Sequence, residues 1–116
     1  MSAALHLLDF PELAAAAIAP GVAWGYQGDD LNANLVVFHG TDGVATHTNH
    51  EVDVLVVGIA GTGIVEVDGE RAMLGAGQAL IIPKGAARSL AAAGDSFAYL
   101  TCHRRRAGLM PQRRTG

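Results

Sequence analysis

Three kinds of residue are scarce in this chain, and each shortage excludes something. Aromatic side chains make up 5% of the 116 residues. Val, Ile, Leu and Ala must therefore fill the core, and no row of rings is available to stack nucleic-acid bases. Cys102 is the single cysteine, which rules out an intramolecular disulfide and fits a reducing compartment. The plain expectation for it is a small buried side chain on a late strand. Charged residues amount to 16% against 50% hydrophobic ones, the balance of a globular chain and not of a disordered one. A chain of this length is expected to form one domain around one core.

Whole segments are lacking too. The N-terminal stretch AALHLLDFPELAAAAIAP has no basic residue ahead of its apolar part, and His6, Asp9, Pro11 and Glu12 interrupt it, unlike an export signal. It is also too broken to supply the ~20 mostly apolar residues of a membrane span. A cytoplasmic protein with no membrane partner is expected. The nucleophile elbow G-x-S-x-G, the phosphate loop G-x-x-x-x-G-K-S/T and a CxxC pair are all absent. The short GTG and GAG stretches read as turns.

The net charge of −3 is unevenly placed. Arg104, Arg105, Arg106, Arg113 and Arg114 crowd the C-terminus, leaving residues 1–103 with three basic residues against eleven acidic ones, a balance of −8. A basic tail on an acidic body invites a nucleic-acid reading. Without interleaved aromatics, a solvated tail or pairing with a neighbouring subunit is the better expectation, and no nucleic-acid partner is assigned.

What is present is mostly strand pattern. Asp9 suits the cap of a short helix, with Pro11 in its first turn and Glu12 near its positive end. The run LAAAAIA favours helix until Pro20-Gly21 stops it. VAWGY and LNANLVVFH then read as strands around the turn cluster QGDD. Alternation in the second places Leu31, Ala33, Leu35, Val37 and His39 on one face. VLVVGIA is apolar at every position, so burial on both faces is expected. Asp68-Gly69 suits a two-residue type I′ turn between IVEV and ERAML. Turns and a late strand, FAYLTCH, complete an all-β pattern of short strands, a sandwich or barrel and not a βαβ unit. The expected organisation is an N-terminal helical segment (1–21), a barrel (22–103) and a basic tail (104–116).

Two blocks carry further information. HTNHEVD places His47, Asn49 and Asp53 in the pattern H-x-N-x3-D, followed by Gly61. GQALIIPKGAARSLAA places Gly77, Pro83 and Gly85 ahead of Arg88 and Ala92. These blocks resemble the paired motifs of the cupins, small jelly-roll β-barrels: G-x5-H-x-H-x(3–4)-E-x6-G and G-x5-P-x-G-x2-H-x3-N. The resemblance spans roughly residues 22–103 and implies a cupin jelly-roll barrel with a short N-terminal helix, paired as a homodimer through a sheet. The strand 54–60 and the Ala-rich helix are the expected contact surfaces. The family's usual site offers three imidazoles and a carboxylate to Fe, Mn, Ni or Zn. Here Asn49 stands for one His, Asp53 for the Glu and Arg88 for the last His, with Gly61 one residue late.

Strand parity turns this into a pocket. Residues two apart share a face, so His47, Asn49 and Asp53 are expected inside the barrel with Arg88 facing them. His50 has the wrong parity. His103 shares its face with Phe97, Tyr99 and Thr101 and joins if that set points inward. The guanidinium of Arg88 stays protonated at physiological pH, so the favoured reading has no metal. Arg88 would pair with Asp53 and hold a small anionic molecule, with His47, Asn49, Tyr99 and His103 orienting it. One alternative is a metal-dependent enzyme, an oxygenase or isomerase, with an altered ligand set drawn from His47, Asn49 and Asp53, with His103 as a possible further member. Another is a structural barrel whose pocket is vestigial. Three bland assignments stand beside these: Arg88 snorkelling to the mouth, His47 as an ordinary interior histidine, and Asp53 satisfying backbone N–H groups in its loop.

Overall fold

The computed structural model describes residues 7–105. Its first element is helix α1 (Phe10–Ala16), capped by Asp9, whose carboxylate accepts the Glu12 N–H at 3.1 Å. The helix ends at Ala16, earlier than its composition suggests. In one more turn the Pro20 ring would collide with the Ala16 carbonyl, and the missing Pro N–H would leave that carbonyl unpaired. Seven residues are far below the roughly 12–15 an isolated helix needs, so packing must hold α1 in place. It does so through Ala14, with Phe10, Leu13 and Ala17, against Leu35, Val37 and Ala98 of the sheet. Phe10 meets Trp24 edge-on at 5.3 Å.

The remaining elements are strands: β1 (Gly21–Gln27), β2 (Leu31–His39), β3 (Gly43–Thr48), β4 (Val54–Val67), β5 (Glu70–Gly75), β6 (Ala79–Ile82) and β7 (Ala87–Arg104). All pairings are antiparallel. Strands β4 and β7, of 14 and 18 residues, are far longer than the usual five or six, because each serves two sheets. The second half of β7 pairs with β2 and with the start of β4, which in turn pairs with β6. The first half of β7 pairs with β3 and with the end of β4, which pairs with β5. The result is two sheets, β1-β2-β7-β4-β6 and β3-β7-β4-β5, closed into a jelly roll.

The bend in β4 lies at register shifts between Gly58 and Ala60 and between Gly61 and Gly63. Gly61 sits at φ 69°, in the left-handed region, and a Cβ there would strike the Ser96 carbonyl. A Cβ on Gly63 would run into the ring of Phe97. Phe97 is wholly buried, so the two bent strands lock together where they turn. The β4–β5 hairpin has positive φ at both Asp68 (50°) and Gly69 (86°), as a type I′ turn requires.

The main core lies between the sheets, around Phe38, Val54, Val56, Val65, Ile82 and Phe97. A second layer sits beneath α1. Strand β4 departs from the expectation of burial on both faces: Val54 and Val56 point inward, whereas Leu55 is 36% exposed and Val57 half-buried. The helix is too short to cover the whole outer face. Among the described residues no helix is long and apolar enough to cross a membrane. Arg106, Arg113 and Arg114 of the basic tail lie outside the described residues.

Candidate functional site

A cavity of about 220 Å³ opens between the two sheets. One wall is contributed by β3 and the first half of β7. His47 and Arg88 are direct cross-strand partners there, flanked by Val44 and Leu90. The opposite wall comes from β2, β4, β6 and the second half of β7. On it, Asn34 pairs with Thr101, and Thr101 with Val56. Tyr99 and His103 lie on either side of Thr101 along the same face.

Arg88 is 4% exposed. Its Nε donates to His47 Nε2 at 3.3 Å and its Nη1 approaches the Ala86 carbonyl at 3.5 Å. Nδ1 of His47 lies 3.0 Å from the Ala45 carbonyl oxygen, which can only accept. Nδ1 therefore carries the ring hydrogen, and Nε2 presents its lone pair to the guanidinium. This bond fixes the imidazole as the neutral Nδ1–H tautomer. His103 follows the same logic: Nδ1 donates to the Arg104 carbonyl at 2.8 Å, so in the neutral ring Nε2 is an acceptor. Tyr99 is 3% exposed, packed edge-on to Phe38 and stacked on Phe97. Burial pushes its phenol well above the usual range, so the group keeps its hydrogen and can donate.

His47, Arg88, Tyr99 and His103 thus line one cavity. Asn49 and Asp53 do not, and the expectation that parity carries them inside fails for a local reason. β3 stops at Thr48. The Asn49 side-chain oxygen accepts the N–H groups of Glu51 at 2.7 Å and Val52 at 3.4 Å, an Asx turn that bends the chain out of the strand. Beyond it, strand parity has no meaning until β4 begins. Asp53 is exposed, and its carboxylate accepts the Lys84 N–H at 2.8 Å. That bond, with Gly85 N–H donating to the Asn49 carbonyl at 2.7 Å, straps the two motif loops together. The expected Asp53–Arg88 pair is not formed, the Asp53 carboxylate being turned to Lys84; an ion pair between Arg71 and Glu66 lies exposed on the surface, worth little to stability. His50 lies exposed in the bend.

Two polar lining residues, Asn34 and Thr101, were not assigned to the pocket by the sequence. Thr101 was placed on the same face as Tyr99 and His103 but given no role in the pocket. Asn34 was hidden because alternation drew attention to the apolar odd positions of β2. Asn32 and Asn34 at even positions of a strand buried on both faces were the available signal. Asn32 is 6% exposed, and its side-chain oxygen has no hydrogen-bond partner. Cys102, between Thr101 and His103, faces the other way, with burial raising its thiol.

Comparison with known proteins gives this geometry a family. A family model described as the cupin domain matches residues 34–103, more than half of the chain. The chain is a cupin. Among solved structures it is similar to KdgF from Halomonas sp. at 22% identity, with a TM-score of 0.66 over 73% of this chain and 78% of that one. The TT1209 protein of Thermus thermophilus matches at 20% identity and a TM-score of 0.74, over 88% and 99% of the two chains. A cupin superfamily protein of Desulfitobacterium hafniense matches at 19% identity and 0.62, over 68% and 71%. Identities this low speak for the fold alone. No curated protein matches the chain.

The ligand set implied by the cupin motifs does not assemble. Arg88 takes the lone pair of His47 that an ion would need, Asp53 is engaged at Lys84, and the Asn49 oxygen holds its own turn. Among the described residues no three His, Cys, Asp or Glu side chains converge as a metal site. The residues of this cupin do not fit a divalent ion at the motif position.

Proposed function

We propose that this cupin is a small-molecule-binding protein that holds a small anion, a carboxylate, against Arg88. The observation that supports it best is the placement of that residue. A permanently charged guanidinium, 4% exposed, forms part of the cavity wall at the position where the family motif carries a metal-ligating His. Its Nε is anchored on His47, which aims the rest of the fork. Buried away from solvent, such a cation makes charge-assisted hydrogen bonds worth about 1.5–3 kcal/mol each.

The volume favours this over a vestigial pocket. About 220 Å³ is several times the ~30 Å³ that one water occupies in the liquid. A metal-dependent enzyme using His47, Asp53 and His103 has less support, since the Asp53 carboxylate serves the Lys84 N–H. Homodimerisation through the outer face of the β6-containing sheet belongs to the same proposal, with Leu55 36% and Ile81 59% exposed there.

Thermal melting with millimolar short-chain carboxylates tests the reading. A bound acid at a hundred times its Kd should stabilise the fold by about 2.7 kcal/mol, and Arg88→Met should abolish the shift. Equal shifts in wild type and variant would overturn the proposal.

A further inference from the structure

The wall that faces Arg88 carries hydrogen-bonding groups that a bound carboxylate would leave unused. The Tyr99 hydroxyl, the Thr101 hydroxyl and the Asn34 amide line the cavity together. Three hydrogen-bonding groups gathered on one wall of one cavity suit a ligand that offers hydrogen-bonding groups of its own there. Tyr99 is the sharpest case, since at 3% exposure its hydroxyl can be met only from within the cavity. His103 adds an acceptor, because its Nδ1–H is committed to the Arg104 carbonyl.

The chemistry of these groups narrows the partner. A second carboxylate there would set its own lone pairs against the His103 lone pair. A carbonyl would satisfy the donors and leave the acceptor unmet. A hydroxyl both accepts and donates, and so suits a wall that mixes the two. Inward positions recur every ~7 Å along a strand, so Tyr99, Thr101 and His103 offer hydroxyl contacts at graded depth. At about 220 Å³ the cavity falls below the ~300 Å³ at which pockets for drug-sized ligands begin.

We propose that the cavity selects small hydroxycarboxylic acids, with the carboxylate on Arg88 and hydroxyls on Asn34, Tyr99, Thr101 and His103. This rests on the reading of Arg88 as the anion site and adds the class of molecule that it holds.

Calorimetric titration of the full chain with butanoate, 3-hydroxybutanoate, 2,3,4-trihydroxybutanoate and succinate tests it. Affinity should rise about three- to tenfold per matched hydroxyl, the yield of one neutral hydrogen bond, and succinate should gain nothing over butanoate. Thr101→Val and Tyr99→Phe, near-isosteric and scored separately so that misfolding of one decides nothing, should each draw the ratio of hydroxylated to plain acid towards one. Equal binding of all four acids, or ratios unmoved by both substitutions, would overturn the selectivity while leaving the anion site standing. Absence of binding by all four would remove the anion site and this inference together.

Discussion

Replacing Arg88 with histidine asks whether the guanidinium alone keeps metal from this barrel. A divalent ion 4 Å from a unit positive charge meets about 8 kcal/mol of repulsion at an effective dielectric of 20, roughly six orders of magnitude in affinity. Arg88 is 4% exposed, so solvent screens little of this. The substitution removes the repulsion and frees the His47 lone pair that the Arg88 Nε now engages. Directly opposed strand residues have Cβ atoms about 4.5–5.5 Å apart, and His47 and residue 88 are such partners. Two imidazoles there can chelate one ion at the ~2.0–2.1 Å Zn–N distance. The wild type should show no Zn²⁺ or Ni²⁺ binding in the micromolar range, and Arg88→His should acquire it. Calorimetry, with visible spectra of Co²⁺ as the report on coordination, measures both. A His47→Ala background should erase the gain. Stoichiometric micromolar Zn²⁺ binding by the wild type, lost on His47→Ala, would refute the reasoning, because the ion would then share the site with the guanidinium.

Three further outcomes follow from particular contacts. Asp53→Ala removes the acceptor for the Lys84 N–H and should lower stability by about 0.5–2 kcal/mol in urea; carboxylate affinity should stay put, and a tenfold loss would return Asp53 to the pocket. Burial raises the Tyr99 phenol above its ordinary value of 10.0, so above that pH the unfolded chain releases a proton that the folded one keeps. Stability is therefore whole below pH 10 and falls as pH rises beyond it; Tyr99→Phe should flatten that limb of a denaturation series. Ile81→Glu, at a 59% exposed position on the outer face, should turn a dimer into a monomer by light scattering, with an unchanged mass arguing against that interface.

Much of the fold was legible because period-two alternation and turn chemistry are local. Asp68-Gly69 announces its own turn, and Asp9 with Pro11 announces a helix start. The helix end was less clear, since the run of alanines masks how far back Pro20 acts. The site divided along the same line. Parity grouped Tyr99, Thr101 and His103 on one face, and because β7 is continuous through them they line one cavity. It misplaced Asn49 and Asp53 because a side chain's bonds to the backbone ended the strand between His47 and Asn49. The bond from Arg88 to His47 joins residues 41 positions apart, which neither segment reveals alone.

One strand, β7, carries Arg88 in its first half and Tyr99, Thr101 and His103 in its second, so both jaws of the cavity are cut from the same stretch of chain. The two jaws are joined by the continuous run of strand between Ala92 and Phe97, where the pairing register with β4 shifts. Four of the six polar side chains of the proposed site therefore lie within eighteen consecutive residues. A library confined to their alternate positions would redraw what the protein holds without touching the rest of the barrel.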